Sequence, residues 1–541
     1  MPLDALVSGR VATFAGDHGF GWVEAVGIRG GRVAFAGSAV ELETRADPHT
    51  LRIELEPGEI AIPGLTDAHL HLLEAAAAAE HVDLTDAATL GDGLALLATT
   101  NSSLPAGSWL LGAGWDQRRW GRWPTAADLA AVTPGRPAAL WSFDHHAVWA
   151  SPEALAIAGL DLESPDPDGG IIRRLADGSP EGVLLENAGS LLTARIPVPG
   201  PNEIRRLAGA MGRRLVALGV VGVHDPGTIV PDPTLASLDV YAAMADAGEI
   251  PIRVHACLRA EGLALAAERG LQSGARLGTS PDGRATVGWL KLFADGTLGS
   301  QTAALLDPRA GSDGRGVFLT PPDDLRDLAG RAGDAGIASQ VHAIGDAAAR
   351  SALDAVEAAR RANGPRGNRH HVAHLQVVHP EDVPRFASLE VTANVQAFWA
   401  SHEPQMDELT IPFLGPERAA RQYPFAGLAR AGARVALGSD WSVSTPDPLL
   451  QIEVAVTRVD PEHRDGEPFL PQERLDPGTA LAAATLGSAY VNRLEEQTGT
   501  VEPGKAADLV VLDHDPFADG PIGDARAVLT LAGGRVVHDA T

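Results

Sequence analysis

The stretch Ile60-Ala61-Ile62-Pro63-Gly64-Leu65-Thr66-Asp67-Ala68-His69-Leu70-His71 begins as an apolar run and ends on two histidines two positions apart. In extended chain, residues i and i+2 point to the same side. His69 and His71 can therefore aim two imidazoles at one metal ion. A short His-x-His pair is a weak sign alone, because such pairs arise often by chance. Its position gives it weight: it closes the first strand of a long series.

Downstream, short apolar runs alternate with amphipathic helices. Strands are expected at 60–65, 220–224, 252–257, 289–293, 338–342, 371–375, 391–395 and 434–437, with helices such as 346–361 and 424–431 between them. Eight such alternations predict an α/β fold built as a (β/α)8 TIM barrel. The alternative is an open doubly wound sheet, but no Gly-x-Gly-x-x-Gly follows the first strand.

Both ends of the chain read as short strands and turns, each too short for a core of its own. Residues 1–60 plus 492–541 are therefore expected to form one small composite β-sandwich domain, leaving 61–75 plus 216–491 for the barrel. The 153 positions from His71 to His224 far exceed one βα unit. Residues 76–215 read as an α+β insertion after the first barrel strand. Functional loops leave a barrel from the carboxy ends of its strands, so this insertion is expected to cover the active site.

Bulk properties exclude several function classes. A formal charge of −27 argues against nucleic acid or an anionic membrane as partner. One cysteine, Cys257, excludes an internal disulfide framework and any cysteine-rich zinc site. The amino terminus shows no secretory signal pattern, and no run reaches the ~18 apolar residues of a membrane span. The expected location is cytoplasmic.

The position of the histidine pair recurs along the barrel. Strand four ends around Lys291 and Asp295, strand five at His342, strand six at His374, and strand eight at Asp440 in Leu437-Gly438-Ser439-Asp440. These ends converge on one mouth in a closed barrel. Any one of the histidines reads most simply as an ordinary polar residue. Together, four imidazoles and a carboxylate suit zinc or a similar divalent ion. Lys291 stands out further, because the 43 basic residues include only two lysines, Lys291 and Lys505. Lysine can become a neutral, nucleophilic amine, whereas arginine cannot. Lys505, in Pro503-Gly504-Lys505, reads as a turn residue.

This order of His-x-His, Lys, His, His and Asp on successive strands resembles the amidohydrolase superfamily, across nearly the whole chain. The segment Gly499-Thr500-Val501-Glu502-Pro503-Gly504-Lys505-Ala506-Ala507-Asp508-Leu509 is similar to that superfamily's return into its small β-domain. Lys291-Leu292-Phe293-Ala294-Asp295-Gly296-Thr297-Leu298-Gly299-Ser300 and Val341-His342-Ala343-Ile344-Gly345-Asp346-Ala347 resemble the narrower YtcJ-like, or amidohydrolase-3, branch, which includes N-substituted formamide deformylases. The resemblance implies that His69, His71 and Asp440 hold one ion, and that His342 and His374 hold a second. It also implies that Lys291 carries a CO2-derived carbamate bridging both. One or two Zn2+ ions, or other divalent ions, would be the cofactor, with Asp440 as the catalytic proton carrier. The implied reaction is hydrolysis of a non-peptide carbon–nitrogen bond, including N-formyl, in a small-molecule amide. Superfamily habit suggests a homodimer.

Further substrate-facing candidates are His146, Trp115, Asp295, Trp399 and Trp441, with Asp295 reading equally as a support behind the ligands or an anchor for its loop. The aromatic clusters hint at an apolar substrate group, with core packing as the plainer reading. His224 and His255 end strands two and three, where lining a pocket and packing are equally open. Asp346 reads as a helix N-cap. Three other functions compete. Deamination commonly needs a glutamate shortly after the strand-five histidine, where this chain has Ala343-Ile344-Gly345-Asp346. Ester or lactone hydrolysis would use the same attack on a carbonyl. A non-catalytic scaffold would have lost ligands, yet all six positions are filled.

Overall fold

A computed structural model describes residues 2–15, 21–79, 81–143, 147–167, 170–197, 199–227, 232–280, 282–364, 369–518 and 520–540. Eight parallel strands form the central sheet: β1 Leu65–Asp67, β2 Val220–Asp225, β3 Arg253–Arg259, β4 Ala285–Phe293, β5 Ser339–Ala343, β6 His371–His374, β7 Thr392–Val395 and β8 Val435–Leu437. Neighbours in the sheet follow chain order. The ring closes where Ala68 N–H donates to Leu437 O (2.9 Å) and Leu70 pairs with Trp441. This is the (β/α)8 barrel expected from the sequence.

Barrel strands are covered on both faces, so they read as continuous apolar runs rather than alternating ones. All six residues of β2 are buried, as are eight of the nine in β4. Helix Asp346–Asn363 shows the complementary pattern. It buries Ala348, Ala352, Val356 and Ala359 on one stripe and carries Arg360 and Arg361 in its last turn. Its N-cap is Gly345 rather than Asp346. Asp346 is the first helical residue, and its carboxylate accepts from Leu306 N–H (2.8 Å), tying down the loop after β4.

The opening apolar run divides between two sheets. Ile60–Pro63 pairs with Leu509–Leu512 in the terminal sheet, and β1 begins only at Leu65. Gly64 makes the handover: a Cβ there would lie 2.6 Å from Val221 and 3.2 Å from the Asp508 Cβ. The terminal sheet has eight strands drawn from both ends of the chain, including Ala5–Ala12, Trp22–Arg29, Ala527–Ala532 and Arg535–Asp539. Its core includes Val7, Val11, Val26, Ile28, Leu509 and Leu531.

Residues 76–204 form a separate compact unit; the terminal sheet and barrel together make up the other. The division at residue 204 falls inside helix Pro201–Val216. The smaller unit holds a six-stranded sheet, including Leu110–Trp115, Ala138–Ser142, Ala147–Ala150 and Pro180–Glu186. Trp115, Trp120 and Trp149 pack mutually with ring centroids 5.9–6.4 Å apart. Among the described residues, no helix is long and apolar enough to cross a membrane.

Candidate metal centre

Metal ligands need neutral imidazoles with a lone pair aimed inward, and the carboxy ends of the barrel strands provide them. One ligand atom from each of His69, His71 and Asp440 lies within 4.8 Å of the others. The Nε2 atoms of His69 and His71 stand 3.3 and 3.7 Å from Asp440 Oδ1. His71 Nδ1 is 2.8 Å from Gly227 O and 3.2 Å from Glu74 Oε2, so Nδ1 carries a proton. Burial opposes the charged ring, but the Glu74 hydrogen bond raises the His71 pKa above the usual histidine value, and a cation at Nε2 would displace the second proton.

His342 and His374 pack together across the same mouth, with ring centroids 4.3 Å apart, and His374 Nδ1 lies 3.9 Å from Asp440 Oδ2. Burial, then the charge of Lys291 nearby, pushes the His342 pKa down to about 3. Burial likewise holds His69 and His374 well below the usual histidine range. His69, His342 and His374, neutral and crowded near a carboxylate, form with His71 a donor set that fits a divalent cation.

Lys291 is 2% exposed, with Nζ 3.3 Å from His69 Nε2 and 4.8 Å from the Phe293 ring centroid. Burial pulls its pKa down to about 8. Two of the candidate positions hold unusual backbone: His374 has φ 76° and Asp440 φ 59°. Both are fixed by hydrogen bonds. His374 N–H donates to Gln396 Oε1 (2.8 Å), and Asp440 N–H donates to His69 O (2.6 Å). Left-handed backbone outside glycine costs on the order of 1–3 kcal/mol and clusters at functional sites.

Residues 57–538 match the profile of the amidohydrolase family. The chain belongs to that family. Among similar proteins, the putative amidohydrolase YtcJ of Bacillus subtilis is 30% identical, covering 95% of this chain and 96% of its own. The N-substituted formamide deformylase of Arthrobacter pascens is 27% identical, covering 96% and 95%. The crystal structure of an uncharacterized metal-dependent hydrolase from Pyrococcus furiosus superposes with a TM-score of 0.78 at 25% identity, covering 95% of this chain and all of that one. This amidohydrolase is accordingly a metal-dependent hydrolase.

The remaining sequence candidates in this amidohydrolase part company. Asp295 is wholly buried, and its carboxylate accepts from Ala304, Ile344 and Gly345 N–H at 2.8–3.0 Å. It therefore knots together the loops after β4 and β5 instead of facing substrate. Burial lifts its pKa to about 7. Trp115 is also wholly buried, in the tryptophan core of the smaller unit, with its indole N–H donated to Leu140 O (2.7 Å). That is a packing role, not a substrate contact. His146 lies outside the described residues.

Trp399 is half-buried in a 3-10 turn just past β7, at the same end of the barrel as the ligands. Trp441 O accepts from His71 N–H (2.8 Å), and the Arg214 guanidinium lies 5.5 Å from the Trp441 ring. The Trp441 indole N–H has no partner among the described residues.

His224 and His255 are buried inside the barrel. Sequence reasoning missed three supports. Asp67 accepts from His69 N–H (2.9 Å) and Ser439 N–H (3.0 Å), bracing β1 against β8. Gln396 holds His374, as described above. Gln340 contacts His69 Nδ1 at 3.1 Å. The one available signal for Gln340 was its spacing of two from His342, which places both on the same face of β5.

Proposed function

We propose that this amidohydrolase-family protein hydrolyses a carbon–nitrogen bond in a small non-peptide amide, N-formyl compounds included. The observation that carries the reading is the convergence of His69, His71 and Asp440 to within 4.8 Å, with His342, His374 and Lys291 around them. The 27% identical relative named as an N-substituted formamide deformylase supports the same substrate class.

His69, His71 and Asp440 would hold one divalent ion, zinc in the first instance, and His342 and His374 a second. Bound there, such ions polarise a carbonyl and lower the pKa of water towards neutrality. Carboxylated by CO2 on its neutral amine, Lys291 would add an anionic carbamate to this donor set. A bare ammonium about 4 Å from a dication would cost roughly 8 kcal/mol at an effective dielectric of 20. Carboxylation of the neutral amine replaces that repulsion by attraction. Asp440 takes the proton of the attacking water and passes it to the departing nitrogen. Without a cation, burial raises the Asp440 pKa above the usual carboxylate value.

Turnover measured on matched N-formyl, N-acyl and cyclic amides, with zinc and bicarbonate supplied, tests the assignment. Release of amine from at least one linear amide is the expected result. Hydrolysis confined to esters and lactones would overturn it.

A further inference from the structure

A line of buried polar groups runs from the metal centre into the barrel. His69 Nδ1 lies 3.1 Å from Gln340 Nε2, Gln340 Oε1 lies 3.1 Å from His224 Nε2, and His224 Nδ1 lies 3.3 Å from Asn492 Oδ1. None of the four residues is more than 3% exposed. The Trp289 ring, with its centroid 4.3 Å from that of His224, closes off one side.

Proton counting along this line leaves only two solutions. Both ring nitrogens of His224 face amide oxygens, but a neutral imidazole has one N–H to donate. Burial holds the His224 pKa down to about 4, so the ring is neutral near pH 7. One of the two amides must therefore present its nitrogen instead, and a half-turn exchanges amide N and O without changing the shape.

If Gln340 turns, His224 Nδ1–H donates to Asn492, Gln340 Nε2 donates to His224 Nε2, and His69 Nδ1–H donates to Gln340 Oε1. The His69 Nε2 lone pair then faces the ligand cluster. If Asn492 turns, each donor becomes an acceptor. His69 then carries its proton on Nε2 and donates it to Asp440 Oδ1, 3.3 Å away. Asn492 Nδ2 is buried with no partner among the described residues, so no other bond fixes that amide. The Cys257 thiol, 3.1 Å from His224 Nε2 and 3.2 Å from Gln340 Oε1, fits both arrangements as donor or acceptor.

We infer that Asn492, His224 and Gln340 form a positioning chain that sets the tautomer of His69. Only the arrangement with Gln340 turned offers the His69 Nε2 lone pair to a cation. A metal ion at the mouth therefore holds the hydrogen-bond sense of the chain down to Asn492, the same sense that an ammonium on Lys291, with Nζ 3.3 Å from His69 Nε2, favours without metal. The inference rests on the metal-centre reading. It assigns Gln340 and His224 an action through His69, not on substrate.

The test uses the full chain, stripped of metal and titrated with zinc against a competing chelator, together with ring-nitrogen NMR of the zinc-loaded, 15N-histidine-labelled protein. In the wild type, His69 is expected to carry its proton on Nδ1. Gln340→Met should weaken zinc binding about 10–100-fold. Gln340→Glu, which keeps an acceptor beside His69 Nδ1, should bind close to wild type. If the Met variant does not fold, the Glu variant and the wild-type spectrum still decide.

A His69 proton on Nε2 in the zinc-loaded protein overturns the chain. So does a Gln340→Met variant that binds zinc like wild type, or a Glu variant as weak as the Met variant. In all three cases the metal centre itself survives. Wild-type protein that binds no zinc overturns both.

Discussion

Asp440 combines three constraints that few residues could meet together. Its carboxylate stands between His69 and His71, its N–H is held by His69 O, and its backbone adopts φ 59°. Asparagine tolerates that backbone as well as aspartate does, and it keeps an oxygen towards the histidines. It cannot take up a proton. Asp440→Asn should therefore lower kcat by about 10²–10⁴-fold while metal content stays near that of wild type. Turnover and metal analysis on the same preparation check this; an asparagine variant with wild-type turnover would remove Asp440 from the proton path. The candidate cluster of His69, His71 and Asp440 was legible because a strand-end position is a sequence property once the strands are counted. For Asp295 and Trp115 the sequence left a substrate role open beside loop anchoring and core packing, because charge and aromaticity mark burial as readily as they mark a binding surface. Only their partners, three backbone N–H groups for one and a tryptophan core for the other, separate the two roles.

Between elements, the decisive contact is the crossing of β8 and β1 at the barrel's seam. A Cβ on Gly438 would stand 2.6 Å from both the N and the Cβ of His69. No side-chain rotation relieves a clash with backbone. Gly438→Ala should cost about 1–3 kcal/mol of stability, as overpacking does, and should weaken zinc binding by moving His69. Thermal unfolding and zinc titration of the variant check both effects; unchanged zinc affinity would show that the seam does not position this ligand. The same seam marks where sequence reading fell short. Ile60–Leu65 reads as one unbroken apolar run, so the only local sign that one sheet ends at Pro63 and another starts at Leu65 is the Pro63-Gly64 pair between them. The Gln340 chain was hidden for a related reason. Its partners lie 116 and 271 positions away, and only the closed barrel brings them together.

For the whole molecule, burying neutral histidines ties stability to pH. Burial depresses the pKa values of His224 and His370 from 6.5 to about 4, and that of His255 to about 3. A depressed folded-state value means that the unfolded chain binds more protons between those limits. The stabilisation is complete above about pH 6.5 and is lost as pH falls towards 4. Each such histidine contributes roughly 3 kcal/mol to that loss. His370, whose Nδ1 accepts from Ser339 N–H (3.0 Å), lies on no ligand position. His370→Gln should flatten the dependence of Tm on pH between 6.5 and 4, and an unchanged slope would contradict the linkage. The overall architecture was readable from rhythm alone, because eight alternations of buried strand and amphipathic helix admit few closures.

All three scales meet in one claim, that the mouth of this barrel holds a divalent ion on His69, His71 and Asp440. Anomalous diffraction at the zinc edge, from crystals of the full chain grown with zinc, tests it most directly. The expected result is a peak about 2.0–2.2 Å from the Nε2 atoms of both histidines and an Asp440 oxygen. An empty mouth in zinc-soaked crystals, with Lys291 a bare amine remote from any peak, would contradict it.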